Sequence, residues 1–468
     1  MKLANNSGLL VPILASIAAS IALGVAAPVA VADKVAVPPP QHAGDPRVAF
    51  ERYRLPNGLE VILAPDPAVP LVAVNVWYHV GSGYEVPGKS GFAHLFEHMM
   101  FQGSKHVGED KHFEILRNIG AENVNGTTNT DRTNYFEVVP SNQLEAALWL
   151  ESDRMGWLLD LVNQGSLDNQ IDVVRNERRQ RIDNVPYGKA LFAESAALYP
   201  EGHPYRYTTI GKHEDLKAAS LDDVKGFFRT WYVPANATLT VSGDFELAAG
   251  KQLVGKWFGA LPVSAKPRVV AVAVPVVKAT EVVITDDPLA KLGQVVFAWH
   301  SPAVYRDGDA ELEVLADALA REGPGRLYRA LIYDHPIAQT VRVRQENRTF
   351  SGVFEISVTL RGEAKVDDVK RIVFDELARL GREPLTDKDI QRFVAAAEAR
   401  AIRQLETAFG RSQGLQQYNH YLGDPDKLTW DLDRFRTMTP DKVTAAAAKY
   451  LSPDHVVTVI TVPAKGGR

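Results

Sequence analysis

The sequence predicts an α+β fold of two similar domains, each a mainly antiparallel sheet with helices packed on one face, related by internal duplication. Two observations predict this fold. Segments of alternating, β-branched residues are interspersed along the chain with longer segments of helical period. In addition, a helix–turn–strand pattern near residue 220 returns near residue 439. The two domains would therefore share one pattern of elements.

Strands and helices alternate over the first third of the chain. Residues 58–63 and 71–78 alternate in polarity and are β-branched, which predicts the two strands of a hairpin. Glycines and a proline between residues 81 and 88 then break the chain. Further on, the periodicity predicts helices over 113–119, 143–159 and 167–181, with a strand over 134–139.

The internal repeat lies at the end of each predicted domain. Its first copy is Ser220-Leu-Asp-Asp-Val224, Trp231, Pro234 and the strand 237–241, and its second is Thr439-Pro-Asp-Lys-Val443, Tyr450, Pro453 and the strand 456–460. Each copy predicts a capped helix, a proline turn and a strand. Prolines between the copies mark a linker. We therefore predict a domain over 47–262, a linker over 263–280 and a second domain over 281–468.

The N-terminus has the pattern of a secretory signal peptide. Lys2 is followed by an apolar run over 8–31, and Ala30-Val31-Ala32 fits a cleavage site. We therefore predict a signal peptide over 1–32 and an extended, proline-rich tether over 33–46. The apolar run is also long enough for an uncleaved membrane anchor, which stays open as the alternative. Export from a bacterial cell would place the protein in the periplasm.

Composition and charge exclude several classes of protein. With 52 basic and 57 acidic residues the net charge is -5, and no basic block is present, so nucleic acid is not expected as a partner. There is no cysteine, which excludes disulfides, thiolate zinc ligands and a cysteine nucleophile. The hydrophobic content of 46% is that of an ordinary globular protein, whose stability must come from its core.

The most informative motif is Gly91-Phe-Ala-His-Leu-Phe-Glu-His-Met-Met100. On a helix, His94 and His98 are four residues apart, so both imidazoles project from one face towards a single metal ion. Glu97 lies close to the same face, where a carboxylate can take a proton from a metal-activated water. This order, His-x-x-Glu-His, inverts the commoner His-Glu-x-x-His motif. An amphipathic helix with two surface histidines is the competing interpretation.

A tetrahedral zinc site with one open position needs a third protein ligand. No further histidine follows at a spacing like that of the metzincins, and His106 and His112 lie beyond the expected helix end. Glu177, in Val173-Val-Arg-Asn-Glu-Arg-Arg-Gln180, is the better candidate. From the residues alone, a surface carboxylate among arginines is the simpler interpretation.

Several longer stretches resemble the pitrilysin/insulinase (M16) family of zinc peptidases, and the resemblance covers nearly all of the mature chain. They are Leu55-Pro-Asn-Gly-Leu-Glu60, Gly91-Phe-Ala-His-Leu-Phe-Glu-His-Met-Met-Phe-Gln-Gly103, Thr133-Asn-Tyr135, Val173-Val-Arg-Asn-Glu-Arg-Arg-Gln180 and Asp183-Asn-Val-Pro-Tyr-Gly188. The resemblance, to the short two-domain subunits of bacteria, implies one Zn²⁺ per chain held by His94, His98 and Glu177. It also implies that Glu97 is the catalytic base.

The resemblance also implies how a substrate is held. In the family an extended peptide adds as a strand to a sheet edge near the metal. The matching substrate-binding stretch here is Asn125, Gly126 and Thr127, followed by Thr128. Gly126 replaces the alanine usual in the family but still permits close approach of a backbone. An ordinary polar turn is the alternative interpretation. Gln170 also departs from the family, many members of which carry an acid at that position.

The second domain departs from the family at two positions. It contains no His-x-x-Glu-His, like the catalytically empty domains of the family, which contribute an Arg and a Tyr to the substrate near the zinc. Arg326-Leu-Tyr-Arg-Ala-Leu-Ile332 aligns with that motif, so Ile332 stands at the Arg position and Gln339 at the Tyr position. Neither side chain offers the hydrogen bonds of the residue it replaces. We therefore predict a heterodimer whose sister subunit supplies the pair, with a clamshell homodimer as the alternative.

The sequence thus predicts an exported zinc metalloendopeptidase that acts on peptides or unfolded protein segments. A non-catalytic assembly or scaffold protein of the same fold is the alternative from another class. Proteins of that kind lose motif residues, whereas this chain keeps His94, Glu97, His98 and Glu177. A metal hydrolase of non-peptide substrates is a second alternative, and nothing in the sequence favours it.

Overall fold

The computed structural model describes residues 44–269 and 272–464. The predicted signal peptide and residues 33–43 of the predicted tether lie outside the described residues. Within the described part, no helix is both long and apolar enough to cross a lipid bilayer.

Among the described residues, the first half of the chain forms a six-stranded sheet with helices packed on it. Its strands are β1 (Glu51–Arg54), β2 (Glu60–Pro65), β3 (Leu71–Tyr78), β4 (Glu122–Thr128), β5 (Thr133–Pro140) and β6 (Ala237–Gly243). Its helices are α1 (Phe92–Met99), α2 (Lys111–Asn118), α3 (Leu144–Trp157), α4 (Gln164–Arg178), α5 (Gly188–Leu198), α6 (His213–Lys217), α7 (Leu221–Trp231) and α8 (Leu247–Phe258). Helix α4 continues as one π-helical turn over Arg179–Asp183.

The second half forms a five-stranded sheet within the same described part. Its strands are β7 (Thr280–Asp287), β8 (Gln294–Ser301), β9 (Ala338–Glu346), β10 (Gly352–Leu360) and β11 (Val457–Pro463). Its helices are α9 (Asp309–Ala320), α10 (Arg326–Tyr328), α11 (Val366–Arg379), α12 (Asp387–Leu405), α13 (Ala408–Leu422), α14 (Leu428–Arg436) and α15 (Pro440–Tyr450). Helix α10 continues as a π-helix over Arg329–Asp334.

The two sheets have the same topology. The strand orders β1-β2-β6-β3-β5-β4 and β7-β11-β8-β10-β9 correspond strand by strand once the edge strand β1 is set aside. Each sheet contains one parallel pair, β2 with β6 and β7 with β11, and its other pairs are antiparallel. The predicted α+β fold of two similar, mainly antiparallel sheets is therefore confirmed. A shared strand order is also what an internal duplication leaves.

The sequence repeat falls on corresponding elements of the two halves. Ser220 caps α7 and Thr439 caps α15, and each side-chain hydroxyl accepts the N–H three residues further on. A short 3-10 turn that begins at Pro234 or Pro453 follows each helix, and β6 or β11 follows the turn. The predicted order of capped helix, proline turn and strand is confirmed in both copies.

One predicted pairing is wrong. The segments expected to form a hairpin are the strands β2 and β3, but β6 lies between them and pairs with both. All residues of β6 are buried. A strand buried on both faces belongs in the interior of a sheet, where neighbours satisfy both of its edges. A strand from much later in the chain therefore takes the place beside β2.

The other predicted elements of the first half agree with the structure. The helices predicted over 113–119, 143–159 and 167–181 are confirmed as α2, α3 and α4, and the strand over 134–139 as β5. The stretch 125–128 lies in β4, so its interpretation as an ordinary polar turn is wrong. From residue 262 to residue 279, the described residues form neither helix nor strand.

Each half also covers part of the other. One face of each sheet packs on helices of its own half and forms a large apolar core. On the second sheet, the opposite face is covered by Ala190 and Leu198 of α5, which comes from the first half. On the first sheet, Leu415 of α13, from the second half, packs against Ile62 and Ala64. These crossing helices fix the two sheets relative to each other.

Candidate metal centre

Helix α1, which carries three residues of the motif, is held at its first turn. Gly91 precedes it with a φ of 88°, and a Cβ there would stand 2.7 Å from the carbonyl oxygen of Ile210. The Glu85 carboxylate accepts hydrogen bonds from the N–H groups of Gly91 (2.9 Å) and Ala93 (2.8 Å). Burial raises the pKa of Glu85 to about 8. The Glu85 carboxyl group thus satisfies helix N–H groups that would otherwise have no partner.

Helix α4 brings the distant glutamate to α1. It begins at a capping box formed by Asn163 and Ser166 and packs along α1. Glu177 lies in its last turn. Gln170, two turns earlier, is buried and lines the same cavity as Glu177. The position at which the family resemblance predicts an acid therefore faces the site with a neutral side chain.

The structure brings His94, His98 and Glu177 together. The Oε2 atom of Glu177 lies 3.7 Å from Nε2 of His94 and 3.2 Å from Nε2 of His98. Ligands about 2.0–2.2 Å from a tetrahedral zinc stand roughly 3.4 Å apart, so these spacings fit that ion. Within residues 44–269 and 272–464, no other group of three His, Cys, Asp or Glu residues has ligand atoms that converge in this way.

The surroundings favour the protonation states that metal binding requires. Burial, reinforced by the neighbouring His98, lowers the pKa of His94 to about 4. A hydrogen bond with His98 lowers the pKa of Glu177. At neutral pH His94 is therefore a neutral imidazole and Glu177 is a carboxylate, which are the forms that bind zinc.

Glu97 is held beside the three ligand atoms by strand β4. Its Oε2 accepts a hydrogen bond of 2.6 Å from the hydroxyl of Thr128. Burial raises the pKa of Glu97, and the Thr128 hydrogen bond opposes that shift. A Cβ at Gly126 would stand 2.9 Å from Cγ of Glu97. The glycine that departs from the family pattern therefore leaves room for the stem of Glu97.

Strand β4 forms one wall of the cavity in front of the ligand atoms. The cavity has a volume of about 490 Å³, and its lining includes Asn125, Gly126 and Thr127 together with Glu97. Among the described strands, β4 pairs only with β5, so its other edge carries no partner strand. An unpaired edge next to a cavity can accept an extended peptide.

A second cavity lies on the other side of the ligand residues. It has a volume of about 330 Å³ and shares His94, Thr128, Glu177 and Arg181 with the first. Its far wall belongs to the second half and includes Arg344, Glu346 and Arg348. The ligand residues therefore lie where two cavities meet, between the two halves of the chain.

The two histidines that were set aside as ligands have other partners. Nδ1 of His106 lies 2.5 Å from a carboxylate oxygen of Asp153. His112 is buried in α2, and its ring meets that of Phe101 edge to face at 5.5 Å. Neither belongs to the convergent group.

The second half offers no counterpart of the missing Arg/Tyr pair at the aligned positions. Ile332, on the π-helix that follows α10, packs partly buried against the second apolar core. Gln339 is exposed on β9. The apolar environment of Ile332 accounts for the residue found there.

Sequence reasoning missed three side chains that shape the site. Thr128 belongs to the quoted stretch but received no role, although its hydroxyl bonds Glu97. Arg181 stands four residues after Glu177, and its Nη1 lies 2.9 Å from Oε1 of Glu177. That i, i+4 spacing is visible in the sequence. Nothing in the sequence pointed to Glu85, because it lies several residues before the start of α1, whose N–H groups it binds.

Comparisons with known proteins agree with the geometry. Residues 60–184 match the family described as "Insulinase (Peptidase family M16)". Residues 218–396 match the family described as "Peptidase M16 inactive domain". The second match covers most of the second half, which lacks His-x-x-Glu-His. It begins earlier in the chain, so it also includes α7 and β6 of the first half.

Individual relatives extend the similarity to most of the chain. The chain is 27% identical over 433 residues to the zinc protease PqqE of Helicobacter pylori, which covers 90% of this chain and 95% of that protein. A solved structure of a protease from Helicobacter pylori superposes with a TM-score of 0.82 at 25% identity and covers 89% of this chain and 100% of that one. The periplasmic protease PqqL of Escherichia coli shares the fold, with a TM-score of 0.74 at 17% identity, and covers 90% of this chain and 49% of that one.

Proposed function

The chain belongs to the M16 family of peptidases, as its motifs predict, and we propose that it is an exported zinc endopeptidase. Its substrates in this proposal are peptides or unfolded segments of proteins. One observation carries the proposal. The ligand atoms of His94, His98 and Glu177 converge beside a second carboxylate, that of Glu97, at a cavity bordered by an unpaired strand edge.

One Zn²⁺ per chain would be held by the two imidazoles and by Glu177. When bound, zinc lowers the pKa of a water molecule to about 7 and polarises the scissile carbonyl. Two neutral imidazoles and one carboxylate leave the centre with a single positive charge, which preserves its strength as a Lewis acid. With His94, His98 and Glu177 as its protein ligands, the ion would keep room for water or substrate.

Glu97 acts in this proposal as general base and then as general acid. Its carboxylate lies next to the ligand atoms in the same cavity, within reach of a water molecule bound there. It would take a proton from the attacking water and pass it to the amine that leaves when the peptide bond breaks. The hydrogen bond from Thr128 orients the carboxylate for both transfers.

Strand β4 holds the substrate. Asn125, Gly126 and Thr127 present an unpaired edge to the cavity, so an extended peptide can add there by backbone hydrogen bonds. Binding of this kind reads the backbone of the substrate more than its side chains. A preference for flexible or unfolded segments follows, because a folded segment cannot extend along the edge.

The working enzyme is proposed to be a dimer. Ile332 and Gln339 stand at the positions from which the family contributes an Arg and a Tyr. A sister subunit that supplies this pair would complete the site, and a clamshell homodimer that works without the pair is the alternative. The sequence pattern over 1–32 supports export, and the similar protease PqqL is described as periplasmic. An uncleaved membrane anchor is the alternative to a cleaved signal.

The test of the proposed function compares the wild type with Glu97→Gln. Zinc content is measured by elemental analysis, and cleavage is measured with internally quenched peptides. Glu97→Gln should keep its zinc and lose about 10²- to 10⁴-fold in kcat, because the proton acceptor is gone. The matched control is Glu114→Gln, on the exposed face of α2, which should behave as the wild type. Unchanged peptide cleavage in Glu97→Gln would refute the assigned base.

The same assay separates the dimer alternatives and the scaffold alternative. The protein purified alone should bind zinc yet cleave poorly, whereas protein co-purified with its partner from the native host should cleave well. Full activity as a single species would exclude the heterodimer. Zinc binding without cleavage by either preparation would favour the non-catalytic scaffold.

A further inference from the structure

Asp131 joins the two halves of the chain at a point beside the metal centre. It lies in the turn between β4 and β5 and is only 1% exposed. Its Oδ1 accepts the hydroxyl of Tyr205 at 2.8 Å. Its Oδ2 accepts the backbone N–H of Thr349 and the hydroxyl of Tyr421, each at 3.0 Å. Thr349 and Tyr421 belong to the second half, so this carboxylate ties the turn to it.

The other side of the same turn is clamped by the first half. The N–H groups of Ser82 and Gly83 donate to the carbonyl oxygens of Asn129 (3.0 Å) and Thr130 (2.8 Å). A Cβ at Gly81 would stand 2.2 Å from the carbonyl oxygen of Asn129. Packing this close leaves the turn little freedom to move by itself. The turn is therefore held between this first-half segment and the contacts that Asp131 makes with the second half.

The turn is connected directly to the proposed base. β4 ends at Thr128, one residue before the turn begins, and the Thr128 hydroxyl donates to Glu97. We propose that Asp131 is a positioning residue, through which the half without metal ligands holds β4 in the place where Thr128 orients Glu97 and the strand edge receives substrate. The inference rests on the proposed function, because it assigns Glu97 and β4 the roles given above.

The hydrogen-bond pattern requires a carboxylate rather than an amide. An Asn at this position would present an NH₂ group either to the Thr349 N–H, which is a donor, or to the Tyr205 hydroxyl. That hydroxyl already accepts the N–H of Phe350 at 3.1 Å, so its own proton would be left without an acceptor. Asp131→Asn therefore loses at least one bond in either orientation of the amide. The change keeps the size of the side chain, which isolates the effect of the bonds.

Asp66 offers a matched control, because it also joins the two halves but lies away from β4. Its carboxylate pairs with Arg411 of α13 at 3.0 Å, so it also joins a first-half loop to the second half. It lies just after β2, at the end of the first sheet opposite the β4–β5 turn. Asp66→Asn weakens the contact between the halves without touching β4.

The experiment measures hydrogen exchange of the β4 amides in the full chain, with and without zinc. It then measures kcat and KM on a quenched peptide with the preparation that cleaves, alone or co-purified with its partner. In Asp131→Asn, the β4 amide hydrogens should exchange at least about tenfold faster than in the wild type. A change of this size corresponds to the loss of one hydrogen bond to a charged group. The kcat of this variant should fall about tenfold with unchanged zinc content. Asp66→Asn should match the wild type in both measurements.

Further variants separate positioning from unfolding. Thr128→Val should lose kcat without faster β4 exchange, and Thr128→Ser should restore kcat, because the hydroxyl alone is required. If Asp131→Asn does not fold, Tyr421→Phe removes one donor and should change exchange in the same direction by less. Unchanged β4 exchange in Asp131→Asn and Tyr421→Phe, or an equal change in Asp66→Asn, overturns the inference. Absence of peptide cleavage by every species would refute the proposed function alone, because the exchange result does not depend on activity.

Discussion

The two halves of this chain share a strand order but differ in what one helix carries. In the first half, α1 follows β3 and starts after Gly91, whose φ is 88°. In the second half, α9 follows β8 and starts after Gly308, whose φ is 98°. Both glycines enter the helix from the left-handed region, where a side chain is strained. The entry to the helix has thus stayed alike while the helices have diverged.

Residues at equal distances from the two glycines show what the divergence has done. His94, Glu97 and His98 stand three, six and seven residues after Gly91, and all are partly exposed towards the cavity. The corresponding residues after Gly308 are Glu311, Val314 and Leu315, and the last two are fully buried in the second core. One helix therefore presents this face to the cavity with two histidines and a carboxylate, and the other uses it for packing. An apolar side chain at these positions is compatible with the scaffold but not with a metal.

The strongest test of this comparison places a residue of the second half into the first. His98→Leu puts the leucine of position 315 at the equivalent position of α1. Structural zinc sites bind with about 10–16 kcal/mol over four ligands, so one lost ligand should weaken zinc binding about 10²- to 10³-fold or more. Chelator competition measures the affinity, and peptide cleavage should be lost with it.

The control for this variant is His335→Leu, in an exposed position of the second half. It should leave zinc affinity and thermal stability unchanged. Zinc affinity at the wild-type level in His98→Leu would show that the convergent group is not the metal site. A loss of the folded state in His98→Leu would show instead that the face cannot tolerate packing residues, and the comparison of the two helices would fail.

Local sequence patterns predicted the elements of the fold better than their arrangement. Periodicity and caps lie within a few residues of each other, so α2, α3, α4 and β5 could be read from the chain. The pairing of β2 with β6 depends on residues far apart in sequence, and the expected hairpin with β3 was wrong. The crossing of α5 and α13 between the halves left no local signal either. Contacts of this kind are decided by which faces remain to be covered in three dimensions.

The same distinction applies to the candidate site. His94, Glu97 and His98 share one helix, so their spacing alone places them together. Glu177 could be assigned only by resemblance, because nothing in its own segment distinguishes a ligand from a surface carboxylate. Asp131 could not be found at all, since its partners lie in distant parts of the chain. Prediction from the sequence thus ended at contacts between the two halves of the chain.

A second test asks whether a residue next to the three proposed ligands positions one of them. The guanidinium of Arg181 lies 2.9 Å from Oε1 of Glu177, while Oε2 faces the two histidines. Arg181 is largely exposed, so the pair adds little to stability in water. Partners of ligand side chains nevertheless affect metal affinity, and Arg181→Gln should raise the Kd for zinc about tenfold. Chelator competition measures it, with the exposed Arg179→Gln as control; equal affinities would contradict the role.

The crossing helices α13 and α5 carry different buried polar side chains, and a variant on α5 has the smallest predicted effect. On α13, the side-chain amide of Gln416 donates to the carbonyl oxygens of Asn75 (3.1 Å) and Thr238 (2.8 Å). On α5, Glu194 is 8% exposed, and burial, with Glu355 nearby, raises its pKa to about 8. The charges of Arg344 and Arg348 oppose this shift only in part. On α13 the Gln416 NH₂ group has two acceptors, whereas α5 carries a carboxyl group that resists ionisation.

Glu194→Gln should therefore stabilise the protein at high pH only. A carboxyl group whose pKa is raised on folding binds its proton more tightly in the folded chain, so the free energy of unfolding of the wild type falls as the pH rises from about 4.5 to about 8. The neutral amide removes this fall. We expect a gain on the order of 1 kcal/mol at pH 8 and none at pH 4, because the fold relaxes around the ionised group and reduces the full penalty. Urea unfolding from pH 4 to pH 9 measures the difference, with the exposed Glu201→Gln as control. A gain that is independent of pH would contradict the assigned cost of ionising Glu194 in the folded chain.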